Sequence, residues 1–465
     1  MSDRSTTRPT AVVIGSSAAG LFAAAALTEF ADVTLVERDT LPEGPEARRG
    51  VPQARHAHLV WSGGVSAFNE LLPGVVEDMV ASGARLAHIM GDMVSRAPNE
   101  VWFRRFSSTH HRNLVCSREL LDKGLRDRVL ADERITLLQD TNALDLVGDA
   151  NRITGVRISG TDGEQILTAD LVIDASGRGS RTPKWLESLG LAPVAIREVD
   201  AGFAYATRLY RAPGTTAQSN FPLINVQANP AKAPGQGGII LPIEGNRWIV
   251  TLSGSRGGEP TDHPDAFLDF ALALGDPIIG ELLKEAQPIG DVATSHSTAN
   301  RRRYYEDAAR WPDGFTVIGD AIASYNPVYG HGLTVAAQCA IAVRDVLRST
   351  SLTAPGTARR LQRAAARPVA AAWDLAVGQD AFYPGATGTP PKLAERFLAR
   401  FVDRAVETGA RNPRALGALL DVMSLEKAPT RLFSPDMLIP MFFGPRKPHL
   451  SAPPLGEAER KTATS

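Results

Sequence analysis

The feature that most constrains this chain is a turn of small residues between a buried strand and an alanine-rich helix. Residues 11–14 form a continuous apolar run, which is followed by Gly15-Ser16-Ser17-Ala18-Ala19-Gly20 and then by an apolar stretch that reaches Phe30. A second short apolar run, 33–36, ends at Glu37. This order predicts a βαβ unit with two buried, parallel strands.

The turn has the parts that a dinucleotide site requires. Gly15 permits a tight turn, the small Ser17 lets the backbone approach a pyrophosphate, and Gly20 lets the helix pack closely on the strand. The helix N-terminus stabilises the anion, and Glu37 is placed to accept hydrogen bonds from ribose hydroxyls. Because Ser17 stands where the fingerprint has its middle glycine, a purely structural βα turn stays open as the alternative.

Size, charge and cysteine content narrow the class of protein. A chain of 465 residues is too long for one growing core, so we expect two domains and an appendage. Its formal net charge of −1 argues against nucleic acid as a partner, and two cysteines exclude a disulfide framework. Without a signal peptide or an apolar run of roughly 18 residues, we expect a cytoplasmic protein with no membrane span.

Two later strand ends resemble the first one chemically. The apolar run 171–175 leads into Ser176-Gly177-Arg178-Gly179-Ser180-Arg181, and the run 315–318 leads into Gly319-Asp320. Carboxyl ends of parallel strands meet at one edge of a sheet. Three such turns can therefore surround one extended cofactor.

These segments, in this order and together with Arg118, resemble the group A flavin-dependent monooxygenases related to p-hydroxybenzoate hydroxylase. The resemblance covers about the first 350 residues. Within that group, the segments 49–58 and 320–332 and the Gly-Asn-Arg-Trp hairpin at 245–248 are similar to the flavin epoxidases of polyether antibiotic biosynthesis, the monensin and lasalocid type.

The resemblance implies an α/β fold: a Rossmann-like FAD-binding domain of the glutathione-reductase type, a second domain with a mixed or antiparallel sheet for substrate, and C-terminal helices. Strand-like runs with a hairpin signal at 244–246 support the second sheet. The expected boundaries are a discontinuous FAD-binding domain at 8–85, 112–190 and 296–358, a substrate domain at 86–111 and 191–295, a helical region at 359–450 and a flexible tail at 451–465.

Carried over position by position, the resemblance implies that FAD is the cofactor and that residues of the three turns, of nearby strands and of the loop 327–332 bind it. The loop is expected to pass over the isoalloxazine edge, where helix N–H groups stabilise negative charge. The implied cofactor residues are Gly15, Ser16, Ser17, Ala18, Ala19, Gly20, Glu37, Arg38, Arg49, Arg118, Ala143, Asp174, Gly319, Asp320, Pro327, Gly330, His331 and Gly332.

The implied activity is epoxidation of an alkene in a hydrophobic polyketide or terpenoid. In such enzymes NAD(P)H, or a separate flavin reductase, supplies electrons, and O2 gives a flavin C4a-hydroperoxide that transfers oxygen. The protein has to exclude water, so no side chain is assigned as catalytic and no metal site is expected. The substrate pocket is expected to involve His56, His58, Phe203, Tyr205 and Trp248.

Four other functions stay open. Aromatic hydroxylation uses the same flavin chemistry, and a reductase or dehydrogenase uses FAD without oxygen. The form Asp174-Ala175-Ser176-Gly177 is also similar to flavin halogenases, although their Trp-x-Trp-x-Ile-Pro signature is absent. The last alternative is a non-catalytic dinucleotide-binding protein, which intact Glu37, Asp320 and residues 327–332 disfavour.

Overall fold

The computed structural model describes residues 8–48, 50–214, 220–444 and 447–464. The strands in chain order are β1 Thr10–Ile14, β2 Asp32–Val36, β3 Leu59–Val60, β4 Arg85–His88, β5 Met93–Arg96, β6 Arg112–Val115, β7 Ile135–Leu138, β8 Asn142–Gly148, β9 Ile153–Gly160, β10 Gly163–Thr168, β11 Leu171–Asp174, β12 Ile196–Val199, β13 Ala204–Arg211, β14 Leu223–Val226, β15 Gln236–Ile243, β16 Arg247–Gly254, β17 Gln287–Ser295, β18 Asn300–Arg303, β19 Phe315–Val317 and β20 Ala323–Ser324.

The α-helices are α1 Ala18–Leu27, α2 Ser62–Leu71, α3 Val75–Ala81, α4 Ile89–Asp92, α5 Arg118–Leu130, α6 Thr182–Ser188, α7 Pro264–Leu272, α8 Ile278–Leu283, α9 Gly332–Ser349, α10 Thr357–Asp380, α11 Leu393–Gly409, α12 Pro413–Met423, α13 Pro435–Phe443 and α14 Glu457–Thr464. Short 3-10 turns lie at Pro52–Arg55, Gly177–Gly179, Tyr305–Asp307, Gly319–Ala321, Pro327–Tyr329 and Pro429–Phe433. None of the described helices combines the length and apolarity needed to cross a membrane.

A five-stranded parallel sheet forms the first core, in the order β19-β11-β1-β2-β7. Residues 11–14 of β1 and all of β11 are buried, as expected for strands covered on both faces. The helices α1 and α9 pack together on this sheet. The predicted α/β fold with a Rossmann-like unit is confirmed.

A second sheet has six strands in the order β17-β13-β16-β15-β14-β5. It is antiparallel except for the parallel pair of β14 and β5. The predicted hairpin is present, since β15 and β16 pair from Ile243↔Arg247 onward. The segment around β5 therefore joins the second sheet, although it precedes that sheet by more than a hundred residues in the chain.

The C-terminal helices add a third group. α10 runs against α9, whereas α11 and α13 pack around α12. Apolar side chains of α12 and α13 share a buried cluster with Ile89 and Met90, which come from the segment before β5. The helices thus close over residues of both sheets.

One expectation about local structure is corrected. The tail expected to be flexible contains α14, whose Glu459 pairs with Arg105 at 2.7 Å. Elsewhere, α5 begins at Arg118 because the Ser117 hydroxyl caps it by accepting a hydrogen bond from the Leu120 backbone N–H (3.2 Å). Residues 301–303 lie in β18 between β12 and β20.

Candidate active site

A single cavity of about 1640 Å³ connects the ends of the parallel strands with the C-terminal helices. Glu37 and Ala143 line it near the first sheet, residues 327–332 line its middle, and Leu420 of α12 lines its far part. Pockets for one small ligand usually measure about 300–1,000 Å³. The cavity has room for a large cofactor and a second molecule.

The first turn needs glycine at both ends. Gly15 has φ +97°, and a Cβ there would lie 2.8 Å from the Ala175 carbonyl oxygen. A Cβ on Gly20 would lie 1.8 Å from the Gly15 carbonyl oxygen. Ser17, Ala18 and Ala19 line the cavity, where the first N–H groups of α1 have no partners within the helix. The turn therefore has the geometry of the phosphate cradle that the sequence predicts.

Glu37 is held beside this turn by a buried ion pair. One carboxylate oxygen, Oε2, accepts hydrogen bonds from the Ser16 N–H (2.9 Å) and hydroxyl (2.7 Å) and pairs with Arg48 (2.8 Å). Burial acts to raise the pKa of Glu37, but Arg48 and the Ser16 donors outweigh it and lower that pKa. Oε1 receives only the Asp39 N–H (3.0 Å) among the described residues, so it can still accept from a ribose hydroxyl.

Arg48 is a candidate that the sequence analysis missed, since Arg49 was chosen and lies outside the described residues. The Arg48 guanidinium also donates to the Ser16 carbonyl oxygen (3.1 Å). Its Nε is buried and has no hydrogen-bond partner in the described part of the chain. Adjacent arginines in the loop after Glu37 were the available signal.

Asp320 and Arg118 both line the cavity. Arg118 donates to Asp122 (2.7 Å), to Ser17 Oγ (3.2 Å) and to His58 Nε2 (3.3 Å). Burial raises the pKa of Asp320, with Arg118 and Arg178 opposing that rise. No described residue donates a hydrogen bond to the Asp320 carboxylate. A buried acceptor without a donor suits the hydroxyl groups of a ribityl chain, so the residues fit the FAD that the sequence predicts.

The loop 326–332 lies between Asp320 and the start of α9. Gly330 has φ +67°, which glycine adopts without strain, and Trp61 Nε1 donates to the Tyr329 carbonyl oxygen (2.9 Å). His331 Nε2 donates to the Met423 carbonyl oxygen (3.0 Å), and burial lowers the pKa of His331 to about 4. The imidazole is therefore neutral at pH 7 and joins the loop to α12.

A buried polar network supports this loop from behind, and no sequence motif indicated it. Asp380 of α10 accepts hydrogen bonds from the Tyr329 hydroxyl (2.5 Å), Asn300 Nδ2 (2.6 Å) and Asn326 Nδ2 (3.0 Å). Tyr205 donates to Asn326 Oδ1 and accepts from the Val328 N–H (3.1 Å). Burial raises the pKa of Asp380 to about 6 despite these donors.

His56 faces the cavity from the loop before α2. Its Nδ1 lies 2.8 Å from Thr207 Oγ1, which lies 2.7 Å from Thr251 Oγ1. Thr251 Oγ1 accepts from the Ala57 N–H (3.0 Å). Both threonine protons are used only if Thr251 donates to Thr207 and Thr207 donates to Nδ1, which leaves an Nε2–H to donate. Burial lowers the pKa of His56 to about 4, so the ring is neutral.

Six of the described predicted site residues do not line the cavity, and three of them have structural roles elsewhere. Asp174 accepts from the Ser176 N–H (2.9 Å) and the Ser180 hydroxyl (2.6 Å), so its carboxylate is used up inside its own turn. Trp248 stacks on Phe221 in the core on the opposite face of β16 from Thr251. Phe203 is covered by Tyr383, with ring centroids 4.9 Å apart. These three assignments are corrected to structural roles.

Most of the other predicted residues come together. Ser16, Gly20 and Gly319 do not line the cavity but shape the turn beside it. The Ser16 hydroxyl bonds to Glu37, Gly20 packs against Gly15, and Gly319 (φ +58°) packs against Ala19. The cavity is lined by the remaining described positions, namely Gly15, Ser17, Ala18, Ala19, Glu37, Arg38, His56, His58, Arg118, Ala143, Tyr205, Asp320, Pro327, Gly330, His331 and Gly332.

The far part of the cavity was not predicted. It is lined by apolar side chains of the C-terminal helices and of the segment 89–103, among them Met90, Phe103, Val402, Leu416 and Leu420. Only a helical region at 359–450 was expected here. Apolar positions spaced three and four apart in α11 and α12 fit helices that merely cover a core equally well.

Comparison with known proteins agrees with this geometry. Residues 11–181 match the family model "FAD dependent oxidoreductase". The chain is 34% identical over 429 residues to Protein Rv3254 of Mycobacterium tuberculosis, an alignment that covers 84% of this chain and 89% of that protein.

Solved structures share the fold. The flavin-dependent brominase Bmp2 superposes with a TM-score of 0.64 at 16% identity, covering 90% of this chain and 94% of Bmp2. PqsL, described as a probable FAD-dependent monooxygenase from Pseudomonas aeruginosa, superposes with a TM-score of 0.57 at 18% identity, covering 80% of this chain and 97% of PqsL.

Proposed function

Because this chain belongs to the FAD-dependent oxidoreductase family, we propose that it is a monooxygenase that epoxidises an alkene of a hydrophobic polyketide or terpenoid. FAD would supply the oxygen-activating chemistry. The electrons that reduce FAD would come from NAD(P)H or from a separate flavin reductase, and the transferred oxygen atom would come from O2.

The proposed cofactor contacts follow from unmet hydrogen-bonding capacity. The turn 15–20 with Arg48 and Arg118 would hold the pyrophosphate, and Glu37 would accept from a ribose. Asp320 would accept from the ribityl chain. The N–H groups at the start of α9 would stabilise negative charge on the ring.

The observation that carries the proposal is the apolar compartment next to the loop 327–332. Its walls are mostly aliphatic, thioether and aromatic groups, although Arg104, Glu395 and Asp403 also line it. His56 and His331, which line the same cavity, are neutral at pH 7. Oxygen transfer to an alkene requires a dry site and a positioned acceptor rather than an acid or a base. Phenol hydroxylation would be favoured by a group that removes a proton, and these two histidines are poor bases.

Three other functions are kept as alternatives. The superposition with Bmp2 favours a halogenase, against which stands the missing Trp-x-Trp-x-Ile-Pro sequence. The family alone is equally compatible with a reductase or dehydrogenase that needs no oxygen. Aromatic hydroxylation differs from epoxidation only in the substrate.

The test begins with purified protein reconstituted with FAD and a reductase, supplied with a polyene or a phenol under ¹⁸O2. We expect epoxide carrying one ¹⁸O per alkene and no turnover without oxygen. Phenol hydroxylation alone would replace the epoxidase assignment, and substrate reduction under argon would identify a reductase. Bromination in the presence of bromide would identify a halogenase.

Cofactor placement is tested separately with two variants. Asp320→Ala removes the buried carboxylate that accepts no hydrogen bond from a described residue. Asp313→Ala is the control, because that carboxylate accepts from the Gly356 N–H (2.9 Å) away from the cavity. The first variant should lose FAD occupancy and the second should retain it. Equal occupancy would show that Asp320 does not hold the cofactor.

A further inference from the structure

Exposed apolar side chains concentrate on the C-terminal helices. In the described part of the chain, eleven large hydrophobic side chains are exposed, and seven of them lie between residues 393 and 443. Single exposed apolar residues are normal, whereas a concentrated set marks an interaction surface. The C-terminal face is defined here as these seven residues: Leu393, Phe397, Leu398, Phe433, Ile439, Phe442 and Phe443.

Helix α11 has one side on this face and another side on the cavity. Leu393, Phe397 and Phe401 follow one another at spacings of four and form one stripe of the helix. Another side of the same helix lines the cavity through Val402 and Val406. Phe401 is stacked on Phe433, with ring centroids 4.8 Å apart, so the stripe continues into the segment 429–433.

The face is continuous with the substrate compartment. Leu398 is 50% exposed and Phe433 is 53% exposed, yet both also line the cavity. Apolar side chains therefore lead from the outer surface into the far part of the cavity. Glu395 and Asp403 of helix α11 also line the cavity, so the path is mostly but not wholly apolar.

Charge identifies the kind of partner. Residues 392–447 contain ten Lys and Arg against six Asp and Glu, a net charge of +4, whereas the whole chain carries −1. Along the apolar stripe of α11 lie Arg396, Arg400 and Arg404, with Lys392 at the N-cap, and the Arg400 guanidinium lies 6.0 Å from the Phe397 ring centroid. The helix also carries Glu395, Asp403 and Glu407, and Glu407 pairs with Arg404 at 3.2 Å. A second copy paired through the same face would bring the excess positive charges of the two copies together.

We propose that the C-terminal face is a peripheral membrane-binding surface, on which apolar side chains insert between anionic phospholipid headgroups. Amphipathic helices with Phe and Leu on one side and Lys or Arg beside them bind in this way. The surface lets a hydrophobic substrate pass from the bilayer into the cavity. That last step rests on the proposed function, whereas the membrane binding does not.

The test is sedimentation of the full-length, FAD-loaded protein with vesicles of phosphatidylcholine containing 30 mol% phosphatidylglycerol. The double variant Phe397→Ser, Phe443→Ser is compared with Ile166→Ser, Ile196→Ser, whose isoleucines are 57% and 56% exposed elsewhere. We expect the phenylalanine variant to bind at least about tenfold more weakly, the isoleucine variant to bind like the unmodified protein, and salt or pure phosphatidylcholine to weaken binding.

Absence of vesicle binding, or equal binding by both double variants, would overturn the proposal. Light scattering distinguishes the competing occupant: a dimer that only the phenylalanine variant dissociates would make this face an interface between copies. Turnover of detergent-dispersed substrate is measured in parallel. Membrane binding can then fail while oxygenation persists, or the reverse.

Discussion

The hydroxyl of Tyr329 donates a hydrogen bond to Oδ1 of Asp380 over 2.5 Å, and this contact joins the loop beside the cavity to helix α10. Tyr329→Phe removes the donor and keeps the ring. Hydrogen bonds to buried charged groups contribute about 1.5–3 kcal/mol, so the free energy of unfolding should fall by roughly that amount. Urea denaturation at pH 7.5 measures it. Tyr304→Phe, on a ring outside this network, should have little effect, and equal losses in both variants would contradict the assignment.

The buried carboxylate of Asp380 should make the stability of the protein depend on pH. Burial raises the pKa of Asp380 from 3.8 to about 6, so the folded protein binds a proton there that the unfolded chain has released. Stability contributed by this group therefore falls as pH rises from about 4 to about 6. His56, His58 and His331 have pKa values lowered to about 4, so the stability that they contribute rises with pH up to about pH 6.5.

Asp380→Asn isolates the carboxylate from those histidines. The free energy of unfolding of the unmodified protein, minus that of the variant, should decrease by roughly 3 kcal/mol between pH 4 and pH 7, since one pKa unit corresponds to 1.36 kcal/mol. Chemical denaturation at several pH values gives the difference. A difference that is independent of pH would mean that Asp380 is already ionised at pH 4.

Arg48 should matter more for the cofactor than an exposed arginine away from the cavity. Arg48→Met leaves Glu37 buried without its cation, and breaking a buried pair costs about 3–5 kcal/mol. We expect FAD affinity to fall at least about tenfold, as measured by recovery of flavin fluorescence on release. Arg128→Met, at a side chain 44% exposed that does not line the cavity, is the matched control. Similar FAD affinity for both variants would argue against Arg48 as a determinant of the site.

His56 should present an Nε2–H to the cavity at pH 7. Long-range ¹H–¹⁵N NMR of the ring distinguishes this tautomer, and we expect its titration near pH 4. Thr207→Val removes the donor to Nδ1 and should raise the population of the other tautomer, whereas Thr294→Val in β17, which also lines the cavity, should not. An Nδ1–H tautomer in the unmodified protein would reverse the inferred direction of the Thr251–Thr207 hydrogen bonds.

Local sequence predicted the parts of the site that depend on backbone geometry. Gly15, Gly20 and Glu37 were identifiable because a tight turn, a close helix contact and a strand end impose residue types at fixed spacing. Trp248 was misassigned because both faces of β16 are buried. Alternation shows that Trp248 and Thr251 lie on opposite faces, but the sequence does not say which face meets the cavity.

Contacts between distant segments were beyond sequence reasoning. Asp380 lies 51 residues after Tyr329, and only the packing of α10 behind the loop brings them together. Which of two adjacent arginines meets Glu37 depends on the path of the loop 41–58, whose described residues form no regular element before Pro52. The lining of the far cavity by α11 and α12 depends on how the helices fold back over the second sheet.

The single cavity has a thermodynamic consequence. Occupants at the strand ends and beside the helices would share one void, so each would form part of the boundary of the other. Whatever free energy the first occupant adds to binding of the second must equal what the second adds to retention of the first. A substrate whose binding FAD favours would then raise the affinity of the protein for FAD by the same factor.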